Sequence, residues 1–288
     1  MNVVEQKIDS SLMNAAVVFS SGFFGFYAHA GFLAAIRELG IMPSAYGGSS
    51  SGAILAAMAA SGMSDQDIRE ILFSLRKEDF WDPDPLPYIL KTFILLFKGY
   101  TGFLKGNGFA RLLRGIPVKK IEDCGTPLAI AATNLTEKRE TVFVNGDLVK
   151  AVHASGAVPL MFKPVAIGDS LYADGGVVSK APVMSVCNLA NSGAVIVHLI
   201  QSHGLAGEGN GFIHRRFTPW HLHYMAYNIA RSEAYKKELA LVKMKGTRVI
   251  EVRTTPSPLG PNRLELGPEV YWSAKSSTID ALEAQVRG

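Results

Sequence analysis

Five residues, Gly48 to Gly52, read Gly-Ser-Ser-Ser-Gly and form a GxSxG pattern with Ser50 at its centre. A serine on a tight turn between a strand and a helix can act as a nucleophile, because small neighbours let an incoming carbonyl approach it. The helix that begins there adds a partial positive charge beside a developing oxyanion. A flexible Gly/Ser connector is the alternative interpretation, and the apolar segments on both sides argue against it. The pattern therefore makes Ser50 a candidate nucleophile.

A nucleophilic serine needs a group that accepts its proton. His153 and His198 are candidates, but each lies in an apolar segment where a structural role is the better interpretation. Asp174, in the segment Leu-Tyr-Ala-Asp-Gly-Gly, is the other candidate, since a carboxylate can serve as base when burial raises its basicity. We expect the two glycines that follow to expose its carboxylate at a turn. An ordinary hairpin turn is the alternative interpretation of Asp-Gly-Gly.

Elements on both sides of Ser50 must hold it in place. Short apolar strands alternate with helical patterns along the chain, which is typical of an α/β protein with a parallel or mixed central sheet. The pattern predicts a short strand or turn over 44–48 before Ser50 and a helix over 52–60 after it. The other predicted strands are 14–19, 127–132, 140–144, 194–200 and 247–253. The other predicted helices are 29–39, 64–77 with Ser64 as its N-cap, 223–245 and 276–286, and 202–211 is predicted to be a loop.

Composition places the chain in the globular class: 48% of its 288 residues are hydrophobic and 19% are charged. Two cysteines, Cys124 and Cys187, are too few for a disulfide framework or a four-ligand zinc site. A net charge of +4 is too small to indicate a nucleic-acid partner. Two uncharged runs, 11–36 and 41–63, are long enough to cross a bilayer, but their polar residues, glycines and a proline argue against it. We therefore expect a cytoplasmic protein.

Positive charge is concentrated between Pro85 and Ile121, where there are seven basic residues and no acidic one. The stretch 86–104 combines large apolar residues with lysines, and Lys91 and Lys98 interrupt it too often for a membrane span. Residues 86–120 are thus a candidate for peripheral contact with an anionic lipid surface. The alternative is a helix that packs over a substrate channel while its lysines face water.

Four segments together resemble the patatin-like phospholipase family of lipid acyl hydrolases. YGGSSSGAILAAMAASG resembles the family's nucleophile elbow, and LYADGGVVSKAPV resembles its Asp-Gly-Gly/Ala motif. VHASGAVPLMFKPV is similar to its Ala-Ser-x-x-x-Pro stretch, and VVFSSGFFGFYAHAGFLAAIRELGI to its glycine-rich anion-binding loop with the following helix. The motifs occur in the family's order, with Ser50 and Asp174 124 positions apart. The resemblance is clearest over 15–182.

This resemblance implies a three-layer α/β/α sandwich around a mostly parallel sheet. The alternation of strands and helices predicts that 1–288 form a single domain, to which 205–288 contribute further helices and a strand. It implies that Ser50 and Asp174 form a Ser/Asp dyad that hydrolyses lipid esters through an acyl-enzyme, with no metal or organic cofactor. Two other functions stay open. One is acyl transfer to an alcohol, and the other is lipid binding without catalysis.

The oxyanion loop departs from the family pattern. That pattern is three glycines, any residue, Arg or Lys, then Gly, whereas this chain has Ser20, Ser21, Gly22, Phe23, Phe24 and Gly25. Two glycines have thus become serine, and the basic residue has become phenylalanine. Gly22 and Phe23 are the predicted donors of backbone N–H groups to an oxyanion. This altered loop is what supports the non-catalytic alternative.

Overall fold

A computed structural model describes residues 12–85, 87, 98–190, 192–201, 219–257 and 259–287. Its main sheet has the strand order β10-β9-β1-β2-β4-β8-β7, and β5 also pairs with β4. The pairs from β10 to β4 are parallel, whereas β5 and β8 run antiparallel to β4, and β7 to β8. The main-sheet strands are β1 Ala16–Phe19, β2 Tyr46–Ser49, β4 Leu128–Asn134, β5 Arg139–Phe143, β7 Val165–Ile167, β8 Ser170–Ala173, β9 Ala194–Ile200 and β10 Arg248–Thr254. A second, small sheet pairs β3 (Gly102–Leu104) with β6 (Leu160–Phe162).

Helices cover both faces of the main sheet. The two faces differ because successive side chains of a strand point in opposite directions. Val17 and Phe19 of β1 belong to one hydrophobic core together with α1, α2 and α9, whereas Ala16 and Val18 belong to another together with α7 and α8. The expected three-layer α/β/α architecture with a central sheet is therefore confirmed. The helices are α1 Phe26–Glu38, α2 Ser51–Ala60, α3 Asp65–Ser74, α4 Lys77–Phe80, α5 Asn107–Leu113, α6 Leu148–Ser155, α7 Val183–Ala190, α8 Pro219–Met244 and α9 Gly267–Arg287.

The edge of β4 explains how distant parts of the chain meet. Residues 130–131 pair with both β2 and β5, and residues 133–134 pair with both β5 and β8. Because a strand has only two edges, β2 and β8 lie on the same edge of β4. Ser49 pairs with Ala131 there, and Ala173 pairs with Thr133 only two residues further along. The residues that follow Ser49 and Ala173 are Ser50 and Asp174, so the sheet brings both to one place.

The element predictions differ most from the structure at helix starts. Helix α1 begins three residues before the predicted start, and α9 begins nine residues before it. The N-cap prediction at Ser64 is confirmed, because its hydroxyl accepts a hydrogen bond from Asp67 N–H while the Asp67 side chain accepts one from Ser64 N–H. The sequence did not predict α4, α5, α6, α7 or the short strands β3 and β6–β8.

Two predictions fall outside the described residues, in whole or in part. The predicted loop 202–211 is one of them. Much of the basic apolar stretch 86–104 is the other, because 86 and 88–97 are not described. Within the described part of the chain, no helix has both the length and the apolar composition that a bilayer crossing requires.

Candidate active site

Ser50 lies on a strained turn between β2 and α2. Its φ is +56° and its ψ is −122°, a conformation that residues with a side chain rarely adopt. A side chain on α6 holds the turn, because Ser155 Oγ accepts a hydrogen bond from Ser50 N–H at 2.9 Å and donates one to the Ala131 carbonyl at 2.6 Å. The turn thus has the geometry of a nucleophile elbow.

The two glycines of the GxSxG pattern are required by close backbone contacts. A Cβ atom at Gly48 would lie 2.3 Å from the carbonyl oxygen of Gly52. A Cβ atom at Gly52 would lie 2.4 Å from the carbonyl oxygen of Phe19, at the end of β1. Since the opposing atoms are backbone atoms held in a sheet or a helix, neither contact can relax by a side-chain rotation. The elbow therefore fits together only with glycine at both positions.

Asp174 follows β8 and is buried, with only 4% of its surface exposed. Its Oδ1 accepts a hydrogen bond from Gly176 N–H at 2.7 Å, and its carbonyl accepts one from Thr133 Oγ1 at 2.8 Å. The expectation that two glycines would expose this carboxylate is wrong. The turn follows directly after β8, whose last residue, Ala173, pairs with β4, and Asp174 is therefore buried beside the sheet. At Gly175 a Cβ would lie 2.1 Å from the Ala131 carbonyl oxygen, so the glycine serves close packing.

Burial raises the pKa of Asp174 from 3.8 to about 6. Three groups oppose this increase: the hydroxyl of Ser50, the N–H of Gly176 and the positive charge of Arg231. Although the Ser50 hydroxyl is close enough to lower this pKa, the buried Asp174 Oδ2 has no well-aligned hydrogen-bond partner among the described residues. Catalytic hydrogen bonds are often loose before a substrate binds. The structure therefore brings the predicted nucleophile and the predicted base together, with the Oδ2 lone pairs available.

The loop 20–25 forms another wall of the site. Its two serines use their polar groups within the fold: Ser20 Oγ accepts from Ile200 N–H at 2.9 Å, and Ser21 N–H donates to the Lys180 carbonyl at 2.7 Å. By contrast, the N–H groups of Gly22 and Phe23, the predicted oxyanion donors, make no hydrogen bond within the described residues. Both residues line the same cavity as Ser50.

The loop keeps glycine where a side chain does not fit. A Cβ at Gly22 would lie 2.7 Å from Ile200 Cβ, and one at Gly25 would lie 2.9 Å from Ile200 Cγ1. The phenylalanine at the position of the family's basic residue, Phe24, has a φ of +52°. Relative to the family pattern, serine thus stands at the positions where the loop has room for a side chain, and glycine remains at the positions where it has none.

The cavity above Ser50 is apolar except at the end where Ser50 lies. Asp174 and Arg231 are the charged residues that line it. Apolar side chains from several helices form the remainder of the wall, among them Phe26, Ile54, Met58, Leu72, Phe80 and Leu112. A pocket with a mostly apolar wall and a few polar groups suits an amphiphilic ligand.

The two candidate histidines, His153 and His198, do not line the cavity of Ser50, in agreement with their interpretation as structural residues. His198 and His29 are fully buried and joined at 2.7 Å through their Nδ1 atoms, and His29 Nε2 lies 2.8 Å from the Ser20 carbonyl. A carbonyl only accepts, so His29 donates from Nε2 and its Nδ1 accepts from His198. Burial lowers the pKa of His29 to about 3 and keeps that of His198 well below its usual range. His153 packs edge-on against Phe109 and does not line the cavity.

Two residues of the site were missed by sequence reasoning. Ser155 supports the elbow from 105 positions away, and Arg231 reaches Ser21 from 210 positions away. The Ser155 position lies within the Ala-Ser-x-x-x-Pro stretch, so that motif was the available signal. Nothing in the local sequence distinguishes Arg231 from other basic residues on its helix. Among the described residues, no group of three or more His, Cys, Asp or Glu side chains is arranged to hold a metal ion.

Two curated proteins are similar in sequence to part of this chain. An uncharacterized NTE family protein of Mycobacterium tuberculosis strain H37Rv is 27% identical over 182 residues, which make up 62% of this chain and 47% of that protein. A second uncharacterized NTE family protein of the same strain is 26% identical over 193 residues, 67% of this chain and 31% of that protein. The chain therefore spans half the length, or less, of these curated relatives.

The fold is similar to that of VipD from Legionella pneumophila, with a TM-score of 0.53 at 16% identity over 96% of this chain and 67% of VipD. A sequence model described as patatin-like phospholipase matches residues 17–186. This match covers more than half of the chain and includes both Ser50 and Asp174, and the chain therefore belongs to the patatin-like phospholipase family.

Proposed function

We propose that the chain is a serine-dependent lipid acyl hydrolase in which Ser50 is the nucleophile and Asp174 is the only general base. One observation carries the proposal: a serine on a strained elbow and a buried carboxylate whose pKa is about 6 line the same apolar cavity. A base with this pKa is ionised at neutral pH and still basic enough to take a proton, which is the combination that general base catalysis needs.

The reaction would proceed in two halves. Ser50 Oγ attacks the ester carbonyl carbon while its proton passes to Asp174 Oδ2, and the tetrahedral intermediate then expels the alcohol, which takes that proton. The product of this half is an acyl-Ser50 ester. In the second half, water gives a proton to Asp174 and attacks the acyl carbon. The carboxylic acid leaves, and the proton returns from Asp174 to Ser50.

The loop 20–25 would stabilise the negative charge on the carbonyl oxygen. The N–H groups of Gly22 and Phe23 are the proposed donors, since they make no other hydrogen bond within the described residues. The N-terminus of α2 adds a favourable dipole at the same place. Serines at positions 20 and 21 are compatible with this role, because their hydroxyls form hydrogen bonds within the fold, with Ile200 N–H and with Arg231.

The substrate class follows from the cavity and the family. An apolar wall suits a fatty acyl chain, and membership of the patatin-like phospholipase family favours phospholipids or related lipid esters. Contact of 86–120 with a membrane surface is part of the proposal. Of this stretch, the structure describes 87 and 98–120, which include the exposed residues Lys105 and Arg111.

Turnover of esters with graded chain length tests the proposal. The wild-type protein is expected to release acid from medium or long acyl esters and from phospholipid vesicles. We expect Ser50→Ala to lose about 10³-fold or more of the rate. Ser61→Ala is the matched control, because its hydroxyl bonds to the Met58 carbonyl at the other end of α2. Its rate should equal that of the wild type.

The same assay separates the alternatives. Added alcohol acceptors would give transesterified product if the protein is an acyltransferase, whereas a hydrolase gives mainly free acid. Folded wild-type protein that binds lipid vesicles but turns over no ester would favour the lipid-binding alternative and refute the proposal.

A further inference from the structure

Arg231 of α8 lines the same cavity as Ser50. Its Nη1 donates to Ser21 Oγ at 2.9 Å and lies 3.4 Å from the Gly176 carbonyl oxygen. The guanidinium group also lies over the ring of Tyr227, 5.0 Å from its centroid. Its Nε is buried and has no hydrogen-bond partner among the described residues. Arg231 is therefore held at the polar end of the cavity by several contacts.

The partners of this guanidinium group are neutral. Within the described part of the chain, no carboxylate lies within salt-bridge distance of Arg231, whereas the half-buried Lys163 pairs with the buried Asp84. A half-buried cation without a close counter-ion costs free energy unless its charge is used elsewhere. The carboxylate on which its charge acts is Asp174.

The two hydrogen-bond acceptors of Arg231 lie in different segments of the site. Ser21 lies directly before the proposed oxyanion donor Gly22, and Gly176 lies in the turn after Asp174. The two segments are in close contact, since a Cβ at Gly176 would lie 2.7 Å from Ser21 Cβ. Ser21 is also one of the two positions where this chain departs from the three-glycine pattern, and its hydroxyl is the acceptor that glycine could not supply.

We propose that Arg231 is a positioning residue of the Ser50–Asp174 site: it joins the oxyanion loop to the Asp174 turn and holds a positive charge beside the carboxylate. This inference rests on the proposed function. It also accounts for the serine at position 21, because the Ser21 hydroxyl connects the substituted loop to Arg231. Arg231 supplies from α8 the positive charge that Phe24 does not supply from the loop.

The groups around Asp174 determine whether its pKa rises or falls when Arg231 is removed. The groups that act on Asp174 are the Ser50 hydroxyl, the Gly176 N–H and Arg231, and Arg231 is the only full charge among them. Lys180 lies near Arg231, and its pKa is lowered first by burial and next by the Arg231 charge. Removal of Arg231 therefore raises the pKa of Asp174 above about 6, because one stabiliser of its ionised form is lost.

Activity against pH tests the inference. With a neutral ester, we expect wild-type kcat/KM to fall below about pH 6, because the base is then protonated. Arg231→Gln should move this acid limb upward by roughly one pH unit and lower the rate at pH 8 by about tenfold. Arg231→Lys should restore the position of the limb but not the full rate. Lys237→Gln, which removes a positive charge from an exposed position of α8, is the control and should leave the limb in place.

A double-mutant cycle tests the contact with the loop. If the two side chains act as one unit, the rate losses of Arg231→Gln and Ser21→Ala will be clearly less than multiplicative in the double variant. Multiplicative losses would contradict a shared role. Circular dichroism of each variant establishes that it is folded before its rate is compared.

A measurement without turnover separates this inference from the proposed function. The stability gained by Asp174→Asn grows over a pH window that begins at the pKa of the carboxyl in the unfolded chain and ends at its pKa in the folded protein, and we expect Arg231→Gln to move the upper end of that window to higher pH. An unchanged window, together with an acid limb like that of Lys237→Gln, would overturn the role of Arg231. Absence of ester turnover in the wild-type protein would instead overturn the proposed function, while the pH window would still decide whether Arg231 acts on Asp174.

Discussion

Replacement of Asp174 by Asn is expected to stabilise the fold while it removes the proposed activity. The carboxyl is buried and its pKa is raised from 3.8 to about 6, so the folded protein holds the charged form at a cost. Asparagine has almost the same shape, and its Oδ1 can still accept the hydrogen bond from Gly176 N–H. The substitution therefore removes the buried charge and leaves the packing in place.

The magnitude follows from the two pKa values. Below pH 3.8 the carboxyl is protonated in both the folded and the unfolded chain, so the charge has no effect on stability. Between pH 3.8 and about 6 the unfolded chain ionises first, and stability falls as pH rises. Above pH 6 the loss is complete and amounts to about 3 kcal/mol, since the two values differ by about 2 pH units at about 1.4 kcal/mol each.

Urea unfolding at several pH values measures this effect. We expect Asp174→Asn to exceed the wild type by up to about 3 kcal/mol at pH 7 and to match it near pH 3.5. Asp280→Asn, at an exposed position of α9, is the control and should change stability by less than about 0.5 kcal/mol. A gain at pH 7 that does not shrink on acidification, or no gain at all, would refute the reasoning about burial.

Two further predictions concern the elbow. Gly52→Ala should cost about 1–3 kcal/mol or more of unfolding free energy, because its Cβ would meet the Phe19 carbonyl, whereas Gly193→Ala should cost little because its Cβ meets nothing within 4 Å. Chemical denaturation of both variants tests this, and equal costs would contradict the contact argument. Ser155→Ala should lower kcat about tenfold with little change in KM, since it leaves the Ser50 N–H without its partner and relaxes the strained turn. Steady-state kinetics tests it, and an unchanged kcat would show that the turn holds without Ser155.

The sheet could be predicted well because its strands are buried runs of apolar residues. Strand β9 has the predicted bounds, 194–200, and all seven of its residues are buried. A fully buried strand shows no alternation, and its length and β-branched residues are enough to identify it. The short strands β6, β7 and β8 are only three or four residues long and only partly buried, so no such run marks them.

Helix starts were harder to predict because proline and glycine can either interrupt a helix or stand at its first positions. The Gly267–Pro268 pair reads as a break, yet α9 begins there, since a proline in the first turn needs no backbone hydrogen bond. Helix α7 also follows a proline, Pro182, and its first turn is supported by a distant side chain: Glu238 accepts a hydrogen bond from Met184 N–H at 2.7 Å. Support of this kind is not visible in the local sequence.

In the candidate site as well, some residues are identified by local motifs, whereas others depend on contacts between distant parts of the chain. The resemblance of four segments to the patatin-like family selected Ser50, Asp174 and the loop with Gly22 and Phe23, and the structure brings them to one cavity. The burial of Asp174 was not predictable from Asp-Gly-Gly, because it depends on the pairing of β8 with the edge of β4. The contact between Arg231 and Ser21 depends on how α8 packs, and residue spacing carries no information about that packing.

The central claim is that the Ser50 hydroxyl is activated by Asp174. A serine-reactive phosphonate with an alkyl chain, followed by mass spectrometry of the digested protein, tests it most directly. We expect the adduct on the peptide that contains Ser50, no adduct at this position in Ser50→Ala, and labelling slowed about 10²-fold or more in folded Asp174→Asn. Labelling of another serine, or an equal rate in Asp174→Asn, would contradict the claim.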